Sequence, residues 1–224
     1  GNIHEGNALR MDWNEVLPVE QCSYICGNPP FLGYTYQSPD QKADLASIWV
    51  DENGRPTKGS KKLDYVSCWY YKAAKYMWGT NLVSAFVSTN SICQGEQATN
   101  IWKPLRDLFD VHIEFAYPSF SWSSEASDEA HVHVVIVGFT CGSGDSPKKL
   151  CFSGSMCEVE RINSYLSPSA DVFVEGKTTP ISDGVPAMSA GNRPADGGNL
   201  IIEACDYADF ISADPDAVRY IRPF

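Results

Sequence analysis

The sequence has 224 residues, enough for one α/β domain with a sizeable core or for a domain plus an appendage. Apolar residues make up 43% and charged residues 20%, a globular composition, and no apolar run approaches the roughly 18 residues that a membrane span needs. Lysine and arginine number 17 against 28 aspartates and glutamates, and the resulting net charge of −11 weighs against a free-standing nucleic-acid binder with a broadly basic surface.

Residues 1–5 hold no basic stretch followed by an apolar one, so no signal peptide is expected and the expected location is the cytoplasm. Ser23-Tyr24-Ile25-Cys26 reads as a short apolar strand that runs straight into Gly27-Asn28-Pro29-Pro30. Residues 40–62 are polar and read as a loop, with one helical turn between Leu45 and Trp49. Val66, Trp69, Tyr70, Ala73, Ala74 and Met77 then recur at helical spacing, which predicts a helix over residues 63–78 ended by Gly79-Thr80-Asn81. A strand follows over residues 82–88 and a helix over 95–108. Residues 111–117 alternate as a strand does, and residues 131–139 form the clearest strand of the chain.

Strands alternating with helices imply a mainly parallel sheet with helices on its faces. The last two strands have no helix between them and are expected as an antiparallel pair at the sheet edge. Past residue 141 glycine, serine, proline and aspartate dominate. Only short strands fit there, such as residues 171–174 and 199–202, and a boundary is drawn after residue 165.

The eight cysteines form no C-x-x-C pair, and the four histidines lack zinc-finger spacing. Reduced core cysteines and no metal are the expectation. Gly142-Ser143-Gly144-Asp145 follows a strand as a nucleotide-binding turn would. A lone Gly-x-Gly is a weak signal, and Pro147-Lys148-Lys149-Leu150 does not open a helix, so the segment reads as a loop.

Asn28-Pro29-Pro30-Phe31 carries the chemistry. The exocyclic amine of adenine is a poor nucleophile because its lone pair is delocalised into the ring. Two acceptors on the amine hydrogens draw the nitrogen toward tetrahedral geometry. An asparagine oxygen supplies one acceptor and a backbone carbonyl the other. Two prolines stiffen that backbone and remove competing N–H groups. An aromatic ring next in line can stack on a base that has left the duplex. An Asn-Pro-Pro-aromatic string arises by chance in roughly 0.2% of chains of this length. The plain alternative is a rigid Pro-Pro turn after a strand.

Longer stretches carry a resemblance. Gly6-Asn7-Ala8-Leu9-Arg10 with Asp12-Trp13, then Cys26-Gly27-Asn28-Pro29-Pro30-Phe31-Leu32-Gly33, resemble the bifunctional restriction–modification enzymes of the MmeI kind. Residues 85–97, Ile113-Glu114-Phe115-Ala116-Tyr117-Pro118-Ser119-Phe120-Ser121-Trp122, residues 131–139 and Asp196-Gly197-Gly198-Asn199-Leu200 are similar to that family in the same order. The resemblance implies an α/β fold: a partial class I, Rossmann-like methyltransferase with a mixed sheet and an antiparallel edge strand, plus the start of a target-recognition domain. Residues 1–165 would be the C-terminal half of the catalytic domain, and residues 166–224 a linker and the beginning of the recognition domain. The chain is thus expected to be a fragment, inactive alone.

The same resemblance implies S-adenosylmethionine as methyl donor, with its site incomplete here, and double-stranded DNA as the partner of the full-length protein. Asn28, Pro29, Pro30 and Phe31 would be catalytic. Asn7 and Ala8 would lie beside the donor's adenine, and Asp64, with Tyr65, in the donor pocket. Phe120 and Trp122 would hold the flipped base. Each has a plainer reading: Asn7 as a turn residue, Asp64 as a helix cap, Phe120 and Trp122 as core. Thr89 and Asn90 end a strand on the site-bearing edge, where turn chemistry also accounts for them. His131 and His133 read as structural. Methylation of a protein glutamine or an RNA base also fits the tetrapeptide; a third alternative, a degenerate methyltransferase kept as a scaffold or recognition module, is opposed by the intact tetrapeptide.

Overall fold

The computed structural model describes residues 3–122, 132–142, 146–152, 154–176, 184 and 201–222, with the backbone alone at residues 121, 122 and 132. Along strand β2, Val83–Thr89, every second residue is buried: Ser84, Phe86 and Ser88. That is the period-two pattern of a strand with one face on a core. The neighbouring strands are β1, Tyr24–Gly27, parallel to β2, and β4, Val132–Cys141, antiparallel to it. Beyond β4 lies β3, Val111–Trp122, and then the hairpin of β5, Lys148–Phe152, and β6, Ser155–Val159. The order across the six-stranded sheet is β1-β2-β4-β3-β5-β6. Because β4 is antiparallel to both β2 and β3, strands β1, β2 and β3 run the same way and their C-terminal ends share one edge of the sheet.

The mixed α/β sheet that the resemblance implies is therefore present, but the mainly parallel sheet read from strand–helix alternation is not: β4 inserts antiparallel between β2 and β3, in the middle of the sheet and not at its edge. Strands β3 and β4 pair antiparallel, from Val111↔Cys141 to Trp122↔Val132. The sheet continues past them: β5 joins β3 in parallel, and β6 supplies the antiparallel edge. Lys148 hides the β5 pattern in the sequence. It points inward, 7% exposed, because its ammonium reaches Glu114 Oε1 at 2.6 Å across β3. Gly154, at φ +82°, takes the left-handed conformation that the β5–β6 turn requires.

Helices α3, Ser67–Met77, and α4, Gly95–Phe109, meet the buried face of β2 and β4. Tyr70 is the hub. Its ring stacks on Phe139 at 5.3 Å and meets Phe86 and Trp102 edge-on at 5.2 and 5.4 Å. Its hydroxyl is satisfied by Ser88 Oγ at 2.8 Å. Trp49, Tyr71 and Phe109 extend the cluster toward the end of α4.

Other expectations need correction. The polar stretch after residue 38 is not a loop with one turn but a ten-residue helix, α2, Pro39–Ile48. Ser38 and Gln41 form a reciprocal capping box and Pro39 sits in the first turn, which starts the helix without a strong apolar stripe. Residues 171–174 form no strand; the Val174 carbonyl accepts from Thr99 Oγ1 of α4 instead. Ile201 and Ile202 are irregular, while residues 199 and 200 lie outside the described residues. All eight cysteines are free, but only Cys68, Cys93 and Cys141 are buried. His133 is exposed; His131 and the Gly-x-Gly residues 143–145 lie outside the described residues.

The chain divides into two compact units, Gly1–Gly176 and Lys177–Phe224. The first also holds the short helix α1, Trp13–Val16. The second contains helix α5, Tyr207–Ala213, and a 3₁₀ turn, Pro215–Arg219. Among the described residues no helix is long and apolar enough to cross a membrane.

Phe139→Ala removes a fully buried ring from the Tyr70 cluster and should lower unfolding free energy by about 3–5 kcal/mol in urea titration. Phe152→Ala, at a ring 44% exposed on β5, should cost under about 1 kcal/mol. Equal costs would show that the Tyr70 cluster is not the centre of the core.

Candidate active site

Strand β1 ends at Gly27, and the chain turns through Asn28-Pro29-Pro30-Phe31 at the sheet edge where β1, β2 and β3 all finish. Ligand sites of such sheets lie outside the carboxyl ends of strands. Pro29 is buried, Asn28 and Pro30 are exposed, and Phe31 is half-buried with its ring against the core. Asn28, Pro29 and Pro30 line a cleft of about 570 Å³ together with Ala8, Met11, Trp13, Ile25, Trp69 and Phe86. Phe31 is not part of that lining.

Behind the turn, the backbone of one residue is held from three sides. The Leu32 N–H donates to Asp64 Oδ1 at 3.0 Å. Its carbonyl accepts from the Tyr65 N–H at 3.0 Å and from Gln37 Nε2 at 2.9 Å. Gln37 Nε2 also reaches the Leu63 carbonyl at 2.9 Å. Asp64 is 5% exposed and accepts from the Val66 N–H as well. Burial pushes its carboxyl above the ordinary 3.8, with the two backbone N–H groups offsetting part of that rise. Asp64 does not line the cleft. It anchors the turn that follows β1 to the start of α3.

The other wall of the cleft is held by Asp44 of α2. This carboxylate, 6% exposed, accepts from Arg10 Nε at 2.7 Å, Tyr65 Oη at 2.9 Å and Asn7 Nδ2 at 3.0 Å. Burial opposes its charge, but these hydrogen bonds and the Arg10 charge outweigh burial and hold the carboxyl below the usual 3.8. Burial and the Asp44 bond push the Tyr65 phenol up to about 12. The other end of the Asn7 amide is occupied too, since Oδ1 accepts from the Leu9 N–H at 2.9 Å. Asn7 therefore shapes the segment, and its neighbour Ala8 faces the cleft. Lys72 clamps the same segment through the carbonyls of Leu9, at 2.9 Å, and Met11.

Asn90 and Ser119 sit at the ends of β2 and β3 and are joined by a 3.3 Å hydrogen bond. Phe120 is half-buried on the same edge, but β2 and β4 lie between β3 and β1, a separation of about 14 Å at strand spacing. The structure thus places Phe120 along the edge and not against Asn28. The backbone of Trp122 ends β3; its side chain lies outside the described residues. Gln37, Asp44 and Lys72 escaped sequence reasoning. Their partners are up to 63 residues away, so no local spacing marks them.

Comparison with known proteins gives a consistent result. A family model for the DNA-methyltransferase domain of MmeI matches residues 1–153, and one for the MmeI target recognition domain matches residues 168–224. DNA methyltransferase A of Bacillus subtilis (strain 168) is 41% identical over 226 residues, covering 100% of this chain and 25% of that protein. The structure of the type IIL restriction–modification enzyme MmeI in complex with DNA superposes with a TM-score of 0.86 at 40% identity, over 98% of this chain and 29% of that one. The chain thus spans about a quarter of the length of the curated relative.

Two measurements test the scaffold of the cleft. Asp64→Ala strips the Leu32 and Val66 N–H groups of their acceptor and should cost about 1–3 kcal/mol by denaturant titration. A neutral result would mean that the turn is held elsewhere. Asp44 has a depressed folded-state pKa, so its stabilisation is complete above its unfolded value of 3.8 and is lost as pH falls through the folded value. Asp44→Asn should therefore flatten the acid limb of the stability profile; an unchanged limb would assign acid sensitivity to other carboxylates.

Proposed function

The chain belongs to the MmeI DNA-methyltransferase family, and on that premise we propose that it forms the catalytic half of an adenine-specific DNA methyltransferase within a longer restriction–modification polypeptide in the cytoplasm. The observation that carries this reading is an exposed Asn28 amide beside a buried, proline-stiffened turn that opens on an apolar cleft. Residues 1–165 are the catalytic portion in this reading, and residues 166–224 the linker and start of the recognition domain. Double-stranded DNA is the substrate.

The cleft fits S-adenosylmethionine in character. Trp13, Ile25, Trp69 and Phe86 offer flat apolar walls for a heteroaromatic ring and a thioether-like chain, with Ala8 and Met11 beside them. When bound, the donor supplies the methyl group. Asn7 and Asp64 act by holding the walls: Asn7 through Asp44, and Asp64 through Leu32.

Asn28 Oδ1 accepts one hydrogen of the adenine amine, and a backbone carbonyl of the Pro-Pro turn accepts the other. The nitrogen is drawn out of conjugation and its lone pair faces the cleft. Pro29 and Pro30 keep that carbonyl fixed and bring no N–H to compete for it. Phe31 stacks on the flipped base. Phe120, half-buried on the same sheet edge, remains a candidate contact for the flipped base.

In the full-length protein, Asn28→Ala should reduce methyl transfer by about 10²–10³ while leaving the fold and donor binding intact, because its acceptor is worth most as the amine gains positive charge. Phe31→Ala removes a stacking surface worth roughly 1–3 kcal/mol and should weaken capture of the base as well as slow the chemistry. Tritiated-methyl incorporation into DNA reads both, with donor binding measured by calorimetry. Near-normal incorporation by Asn28→Ala would make the tetrapeptide structural and end this reading.

A further inference from the structure

Residues 6–12 form turns and bends and join no helix or strand. Yet Ala8 and Met11 from this segment, with Trp13 at the start of α1, line one wall of the cleft of about 570 Å³ that opens on Asn28. The wall is held by one stripe of α3. Trp69, Lys72 and Tyr76 are spaced i, i+3 and i+7 and so share a face of that helix. Trp69 and Tyr76 line the cleft, whereas Lys72 does not.

Lys72 Nζ donates to the Leu9 carbonyl at 2.9 Å and to the Met11 carbonyl. The same ammonium lies 5.7 Å from the centroid of the Trp13 ring, within cation–π range. The indole is fixed on two further sides. Its Nε1–H donates to the Ala8 carbonyl at 2.8 Å, and its ring meets Tyr76 edge-on at 5.8 Å. Tyr76 Oη donates in turn to the Leu17 carbonyl at 2.7 Å. Both ends of the wall therefore hang from α3, through Lys72 over residues 9–13 and through Tyr76 over residues 13–17.

Lys72 is half-buried, and burial draws its pKa below the ordinary 10.5. A methionine would fill the same space without that cost. What a methionine could not do is hold two carbonyls of a segment that has no ladder of its own.

We propose that Lys72 is a positioning residue for the methyl donor: without touching the donor, it fixes the Ala8–Trp13 wall at the distance from Asn28 that donor binding requires. The assignment rests on reading the cleft as the donor site. It deepens that reading by separating the groups that hold the donor's wall from those that act on the target amine. A wall that meets the donor alike before and during methyl transfer contributes uniform binding, which sets KM and not kcat.

The test is steady-state methyl transfer by the full-length protein, with S-adenosylmethionine binding measured by calorimetry. Lys72→Met keeps the length of the stem and removes the N–H donors. It should raise the donor Kd and the donor KM about tenfold, while kcat at saturating donor stays within about twofold and the KM for DNA is unchanged. Lys72→Arg restores N–H donors and should return donor affinity to within about threefold of wild type. Tyr76→Phe deletes one hydroxyl and keeps the ring, and should raise the donor KM about threefold. Lys75→Met, at an exposed lysine of the same helix, should change none of these quantities. A fall in kcat with donor KM unmoved, unchanged donor affinity in Lys72→Met, or no recovery in Lys72→Arg would overturn the assignment. Should Lys72→Met not fold, Tyr76→Phe decides alone, and wild-type donor affinity there overturns it. Failure of the cleft reading looks different: the wild-type protein itself would bind no donor, or Asn28→Ala would keep its methyl transfer.

Discussion

Leu32 has both of its backbone polar groups committed: its N–H to the Asp64 carboxylate, its carbonyl to the Tyr65 N–H and the Gln37 amide. The Asn28-Pro29-Pro30-Phe31 turn has no regular secondary structure, so nothing periodic holds it. These three bonds replace a ladder. They are effective because they are made in a buried place, where an unmade bond costs more than a made one gains. The raised pKa of Asp64 is the counterpart: its charge is kept out of water for the sake of two N–H groups.

The next residue does the same for the opposite wall. Tyr65 reaches Asp44, and Asp44 holds Asn7 and Arg10. Two consecutive residues at the mouth of α3 therefore tie both sides of the cleft to one helix. That helix stands on the sheet through Tyr70, with Phe86 and Phe139 beneath it. A disturbance of the Tyr70 cluster would reach the cleft through the start of α3, whereas one in the β5–β6 hairpin would meet it only across β3 and β4.

The parts of this arrangement that follow local period were legible in the sequence. The strand running into Asn28, the apolar stripe of α3, the alternation of β3 and the continuous apolar run of β4 were all readable, because burial writes itself into residue spacing. Elements defined by something other than apolar period were not. Helix α2 is announced by its cap, Ser38 with Gln41, and not by a stripe. Strand β5 turns a lysine inward because Glu114 awaits it. Residues 171–174 look strand-like but have no strand to pair with, so Thr99 takes the Val174 carbonyl. For the candidate site, the tetrapeptide, Asp64 and Tyr65 were visible, but Gln37, Asp44 and Lys72 were not. Asn7 reads locally as a turn residue and by resemblance as a donor contact; its amide reaches Asp44, 37 residues away. Phe120 shares the catalytic edge, but β4 inserts between β2 and β3 and so sets its distance from Asn28.

A net charge of −11 spread over the chain and a DNA substrate need not conflict. Charges on a protein surface are screened over about 8 Å at physiological salt, so the total is felt mainly by a duplex still at a distance. There it lowers the encounter rate. Once the duplex is in contact, the groups within one screening length decide the energy. Around the α4 N-terminus those include Lys61, Lys62, Glu96 and the Lys58–Glu175 ion pair. For a duplex, the charge balance of the whole chain thus acts on how often it arrives, and the groups in contact act on how firmly it is held.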